Sequence, residues 1–299
     1  LVAGDGGRSI LFCRERDPDK EIWDGYRYGP EAAREAFGFD EAYAIGELDA
    51  RLPEILADQP VLWHSLGHDS TWDQQVAASL NAVRAQSRNG KRAPVTVRDL
   101  RAELDEMRLI KDSHEIDVMR RAAAISAAAH RRAMAAARPG AFEYEVEAEL
   151  LHEFRRQGSP FPAYGSIVAS GANACVLHYV ENDRRMADGE LLLIDAGCEL
   201  EGYASDITRS FPVNGRFSGP QRDVYALVLA AQAAAIATIR PGASFQAPHD
   251  AAVAVLAQGL VDLKLLAGSV DAVIESGSYK RFYMHRTGHW LGLDVHDAG

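Results

Sequence analysis

One four-residue string occurs twice, each time between two helical patterns, and it constrains the fold more than any other feature. Arg138-Pro139-Gly140-Ala141 closes an alanine-rich run that starts at Asp112, and Arg240-Pro241-Gly242-Ala243 closes another that starts at Ser218. Each run opens with the spacing of a capping box, Asp112 with Glu115 and Ser218 with Gln221, in which two side chains satisfy each other's backbone N–H groups. Helices are therefore predicted over 112–137 and 218–239, with partners over 143–154 and from the second turn through 266. A recurring helix, RPGA turn and helix, followed by strands, predicts a duplicated α/β arrangement whose two halves face each other across a cleft.

At 299 residues the chain suits two domains. The front alternates predicted strands over 9–12, 42–45 and 61–63 with helices over 30–37, 48–56 and 72–85, the pattern of a small α/β domain. A polar stretch over 87–92 and a connecting helix over 100–107 put the boundary at 108, giving domains 1–108 and 109–299. The chain opens without Met, and Gly4-Asp5-Gly6-Gly7 forms a turn into the strand over 9–12. It closes just past a histidine cluster, so it reads as a fragment truncated at both ends. With 47% hydrophobic and 25% charged residues it is an ordinary globular chain, and a net charge of −11 disfavours nucleic acid and anionic membranes as partners. Cys13, Cys175 and Cys198 are too few and too scattered for a disulfide framework, which points to the cytoplasm; no apolar run is long enough to span a bilayer.

The chemistry is concentrated in two places. Leu191-Leu192-Leu193-Ile194-Asp195 reads as a buried strand, and a turn over 199–202 leads into a return strand containing Asp206. A hairpin folded about the Leu200–Glu201 bond would set Asp195 directly opposite Asp206. Two carboxylates so placed repel each other unless a cation or proton lies between them, and a metal pair resolves that conflict. Solvated turn aspartates are the other reading. The second place is the stretch over 283–297, which holds three of the ten histidines, His285, His289 and His296, with Gly288 and Gly292 bracketing the middle one. Neutral imidazoles ligate first-row metals, and His289 could complete an Asp/Asp/His set; hydrogen bonding to core carbonyls would account for them as well.

The strings LLLIDAGCELEGYASDITRSFPV, GANACVLHYVEND and YMHRTGHWLGLDVHD, with RPG before a helix, resemble the Xaa-Pro aminopeptidases, metallopeptidases of the pita-bread fold. The resemblance implies an α/β (α+β) chain, a small creatinase-type N-terminal domain followed by a C-terminal pita-bread domain incomplete at its end. It implies two divalent ions, manganese by preference, with Asp195 on one, Asp206 bridging and His289 on the other. His178, His285 and His296 match catalytic histidines that line the pocket and support the oxyanion, and a hydroxide shared by the ions is the implied nucleophile. The implied reaction hydrolyses the bond between a peptide's first residue and a following proline. The resemblance also implies a homo-oligomer, a dimer or tetramer.

One departure stands out. The family needs two more glutamate ligands after the histidine cluster, and neither Glu199, Glu201 nor Glu275 is placed to replace them, so the 299-residue chain is expected to be impaired. A prolidase confined to dipeptides and a metal-free peptide-binding module of the same fold are the alternatives. His64 and His68 have ligand-like spacing without nearby carboxylates, Thr208 and Arg209 could orient Asp206, and Trp23 and Tyr26 could line either a subunit contact or the core.

Overall fold

The computed structural model describes residues 1–3 and 7–298. They form two compact units, Leu1–Asp105 and Glu106–Gly299. In the first, strand β1 (Val2–Ala3) pairs antiparallel with β2 (Arg8–Cys13), and the expected turn over 4–7 lies largely outside the described residues. After helices α1 (Pro18–Asp24) and α2 (Gly29–Phe37), the strand β3 (Glu41–Ala44) runs parallel to β2. Helix α3 (Leu48–Leu56), strand β4 (Val61–His64), helix α4 (Ser70–Ala85) and strand β5 (Thr96–Asp99) follow, with β4 and β5 again parallel. Parallel neighbours need helical crossovers, so the alternating pattern in the sequence becomes an α/β unit. Its core is a seam of Leu52, Leu56, Val76, Leu80 and Val83 between α3 and α4. Trp23 is 86% exposed and Tyr26 62%, which removes the core-packing reading for both.

Helix α5 (Arg101–Leu109) crosses the boundary between the units. In the second unit α6 (Ser113–Ala136) and α7 (Glu143–Arg156) lie on a sheet of order β11-β8-β7, formed by β7 (Ile167–Ser170), β8 (Leu191–Asp195) and β11 (Thr208–Pro212). A second small sheet has the order β10-β9-β6, from β6 (Phe161–Pro162), β9 (Cys198–Leu200) and β10 (Tyr203–Ala204). The α6 stripe Val118, Ala122, Ile125, Ala129 and Ala133 packs with Val146, Leu150 and Phe154 of α7 against Leu192 and Ile194 of β8. Strand side chains alternate, so Leu191, Leu193 and Asp195 point to the other face of the sheet.

Both predicted capping boxes form. The Asp112 carboxylate accepts from His114 N at 2.8 Å and Glu115 N at 2.9 Å, and Ser218 caps α8 (Gly219–Ala237) by accepting from Gln221 N. The two RPGA strings adopt one geometry: Gly140 has φ 88° and Gly242 φ 84°, while Ala141 N and Ala243 N donate to Arg138 O and Arg240 O at 3.2 and 3.0 Å. Those are type II turns, which require a positive φ at their third residue. Among the described residues, strands follow the first helix pair. After α8 and α9 (Ala247–Asp262) the described residues continue as α10 (Val270–Ser276) and then as irregular backbone to Ala298. Consistent with that difference, α8 buries only Ala231 and Ala235.

Candidate metal centre

The two aspartates are not opposite each other. Leu200 pairs with Tyr203 across a two-residue turn in which Glu201 (φ 51°) and Gly202 (φ 86°) are both left-handed, and this register makes Thr208, not Asp206, the partner of Asp195. Two successive left-handed residues give the tight hairpin turn that matches strand twist, so the fold point lies one residue later than the expected one. The resulting shift of two residues keeps Asp206 on the Asp195 face, because side chains alternate with a period of two.

Between the aspartates the ladder is pinched. A Cβ at Gly197 would lie 1.6 Å from Ser205 O, so only glycine lets the two segments approach this closely. β6 pairs with β9, Pro162 opposite Cys198, and this brings Tyr164 up to the pinch. The Tyr164 hydroxyl donates to Asp195 Oδ1 at 2.5 Å and lies 2.9 Å from Asp206 Oδ1. Asp206 Oδ2 is in turn 3.1 Å from His289 Nε2, and the His289 ring stacks on His296 with centroids 4.1 Å apart. A row thus runs Asp195, Tyr164, Asp206, His289, His296. Tyr164 is the member that sequence reasoning missed.

Burial raises the Asp195 pKa, and the neighbouring Asp206 charge adds to the rise against hydrogen bonds from Tyr164 and Thr208. The Tyr164 phenol is pushed far above its ordinary range by burial and then by Asp195. A single phenolic O–H lies between the two carboxylates, so negative charge is concentrated at this point. Two hard oxygen donors beside an imidazole nitrogen fit a divalent metal ion. Among the described residues no three His, Cys, Asp or Glu side chains close around a common point; the donors form an open row.

The histidine segment reaches the row through backbone contacts. Ala204 N donates to Gly292 O at 2.8 Å and Asp297 N to Trp290 O at 3.0 Å. Gly292 is required here, since a Cβ would meet Asp297 Oδ2 at 2.2 Å, whereas nothing lies within 4 Å of one at Gly288, so that glycine is not a close-approach position. Asp297, with its side chain 1% exposed, accepts from Lys111 Nζ at 2.8 Å and from Arg108. The remaining expected site residues are not joined to the row among the described residues. His178 is exposed and follows a short 3₁₀ segment, Gly171–Cys175; His285 is exposed, with Nδ1 2.7 Å from the Arg286 carbonyl. Glu201 is engaged by Arg121 at 2.8 Å. In the first unit, His64 is not without a carboxylate: its Nε2 lies 2.7 Å from Asp73 Oδ1, a partly buried pair, because α4 turns Asp73 back over the strand end.

Comparison with known proteins identifies the family. Residues 117–299 match metallopeptidase family M24, and residues 1–63 match the aminopeptidase P N-terminal domain. The Xaa-Pro aminopeptidases of Haemophilus influenzae and Escherichia coli are 49% and 47% identical over 98% and 97% of this chain, which spans 65% and 66% of their lengths. A structure of Pseudomonas aeruginosa aminopeptidase PepP superposes with a TM-score of 0.95 at 50% identity, over 97% of this chain and 66% of that one. A zinc-substituted Escherichia coli aminopeptidase P in complex with product also gives 0.95, at 46% identity and the same coverage. The family match over 117–299 and the relatives at 49% and 47% identity show that the chain belongs to metallopeptidase family M24.

Proposed function

We propose that this chain is the greater part of a metal-dependent Xaa-Pro aminopeptidase, acting on peptides with proline in second place. The observation that carries the reading is the row of Asp195, Asp206 and His289 on one face of the hairpin. Asp195, Asp206 and His289 would hold the divalent ions, Asp206 as the carboxylate shared between them, and the carboxylate-rich set would suit Mn²⁺. Such ions, when bound, polarise the scissile carbonyl and bring the pKa of water toward neutrality. Tyr164 holds the two carboxylates together. His296, stacked on His289, supplies an N–H to a carbonyl oxygen gaining negative charge, a contribution of about 3 kcal/mol for a well-placed donor. His178 and His285 keep the pocket-lining role that the resemblance of their strings implies, although neither joins the row among the described residues.

Three ligands are few for two ions, so residues 1–299 alone are expected to bind Mn²⁺ weakly and turn over slowly. Exposed Ile22, Trp23, Tyr26 and Phe37 suit a subunit contact in a homo-oligomer, and free Cys13, Cys175 and Cys198 suit a cytoplasmic setting. Among the described residues no helix is long and apolar enough to cross a membrane.

Calorimetric Mn²⁺ titration of the chain and of Asp206→Asn, with release of the first residue from X-Pro-Y and X-Pro peptides, tests the reading. Mn²⁺ binding lost in the variant and cleavage of X-Pro-Y are expected. Equal Mn²⁺ affinity in the two proteins would refute it, and cleavage confined to X-Pro would make the enzyme a prolidase.

A further inference from the structure

The ladder of the hairpin is interrupted between β8 and β9, just where the aspartates sit. Buried backbone groups released by such a break must find other partners. Two of them find α6. His130 Nε2 lies 3.0 Å from the Ala196 carbonyl, which can only accept, so the ring donates. One turn earlier, Ser126 Oγ accepts from Cys198 N at 2.9 Å and contacts Ser205 Oγ at 2.8 Å. Ser205 Oγ also accepts from Cys198 N and donates to Cys198 O at 2.8 Å, so the two strands are tied together as well as to the helix.

Ser126 and His130 are 0% and 3% exposed and lie in a stripe otherwise made of Val118, Ala122, Ile125, Ala129 and Ala133. Apolar side chains would fill that stripe without desolvating an imidazole. Burial lowers the His130 pKa, which keeps the ring neutral, and among the described residues its Nδ1 has no partner. Its hydrogen bond goes to Ala196, the residue after Asp195. Ser205, held through Ser126, is the residue before Asp206.

We infer that Ser126 and His130 are positioning residues for the carboxylate pair: from the far side of the sheet they fix the broken strands so that Asp195 and Asp206 keep their separation. This rests on the proposed role of the pair in metal binding.

The test uses the full chain carrying His130→Leu, His130→Gln or Ser126→Ala. Glutamine can place an amide N–H near the position of Nε2, whereas leucine cannot. Amide exchange over 193–208 and Mn²⁺ affinity are measured beside the melting midpoint. Leucine is expected to speed exchange in that stretch about 10- to 100-fold, the factor for leaving a buried carbonyl unpaired. It should also weaken Mn²⁺ binding by roughly 10- to 100-fold, as for other residues that orient ligands from behind, with α9 peptides unchanged. Glutamine should reverse both effects. Unchanged exchange over 193–208, or a lower midpoint with Mn²⁺ affinity intact, would overturn the inference, as would glutamine behaving like leucine. If the unsubstituted chain binds no Mn²⁺, the metal reading fails by itself, and the exchange data still decide: acceleration confined to 193–208 and reversed by glutamine supports positioning, and its absence refutes it. Should the leucine variant not fold, Ser126→Ala is judged by the same measurements.

Discussion

Replacing Gly197 by alanine puts the pinch to the test. The added methyl would sit 1.6 Å from Ser205 O, 2.4 Å from Ser205 C and 3.0 Å from Asp206 N, all backbone atoms that no side-chain rotation can clear. Ordinary van der Waals contact begins at 3.4 Å, so the segments must part by close to 2 Å. Overpacking alone costs about 1–3 kcal/mol, with a backbone clash at the upper end. Parting also strains the bonds Ser205 N to Cys198 O (3.0 Å) and Ala196 N to Ile207 O (3.1 Å). Each of these is worth about 1 kcal/mol net, so the total is about 4–5 kcal/mol. For a unit of this size that corresponds to a fall of roughly 8–20 °C in the melting midpoint. Calorimetry of the Gly197→Ala chain against the parent measures it, with a Mn²⁺ titration alongside. A midpoint within about 2 °C of the parent, no more than roughly 1 kcal/mol, would refute the close-approach argument.

Asp297→Asn should lower the melting midpoint at pH 7 by removing the shared partner of Arg108 and Lys111, at a cost of up to about 3 kcal/mol. Burial pushes the Asp297 pKa up, but its bonds to Lys111 and Arg108 prevail and hold it below the ordinary value. Its contribution is therefore present above the unfolded pKa and lost as the pH falls through the folded one. Melting curves from pH 7 down to pH 2 should converge for parent and variant on the acid side; a constant gap would contradict this. Glu143, 0% exposed, accepts from Ser170 N at 2.6 Å, Ser170 Oγ at 2.7 Å, Tyr179 Oη at 2.7 Å and Arg184 N at 3.0 Å. Glu143→Gln turns an amide N–H toward these donors and should destabilise by about 3 kcal/mol, while limited proteolysis cuts faster between 171 and 183. Unaltered cleavage there would show that Glu143 does not anchor the His178 segment.

Much of the second unit was legible because its signals are local. The capping residues Asp112 and Ser218 and the Pro-Gly turns act within four residues, and the run from Leu191 to Ile194 is apolar enough to declare a buried strand. The hairpin register was not legible, since it depends on Glu201 adopting a left-handed conformation that glutamate seldom takes. Tyr164 could not be found by spacing: its approach to Asp195 and Asp206 is set by the pairing of Pro162 with Cys198. Glu143 looks like any acidic residue in a first helical turn, and only the fold shows it enclosed by donors from Ser170, Asn173, Tyr179 and Arg184. His130 was likewise hidden in an alanine-rich helix. After α9 the described residues run through α10 and the histidine segment, and a repeated helix pair fixes its own turn and cap but not the segment downstream of them.

The alanines of α6 have a consequence beyond filling the core. Ala122, Ala129 and Ala133 are fully enclosed, and their short side chains set the standoff between helix axis and sheet. A seryl hydroxyl and an imidazole can bridge that gap to the strand backbone only while it stays narrow. A bulkier residue at Ala129 would lift the helix and slacken both tethers at once, altering the aspartate pair without touching it. Drift in the reactive centre can therefore begin on the opposite side of the sheet, at positions that carry no chemistry of their own.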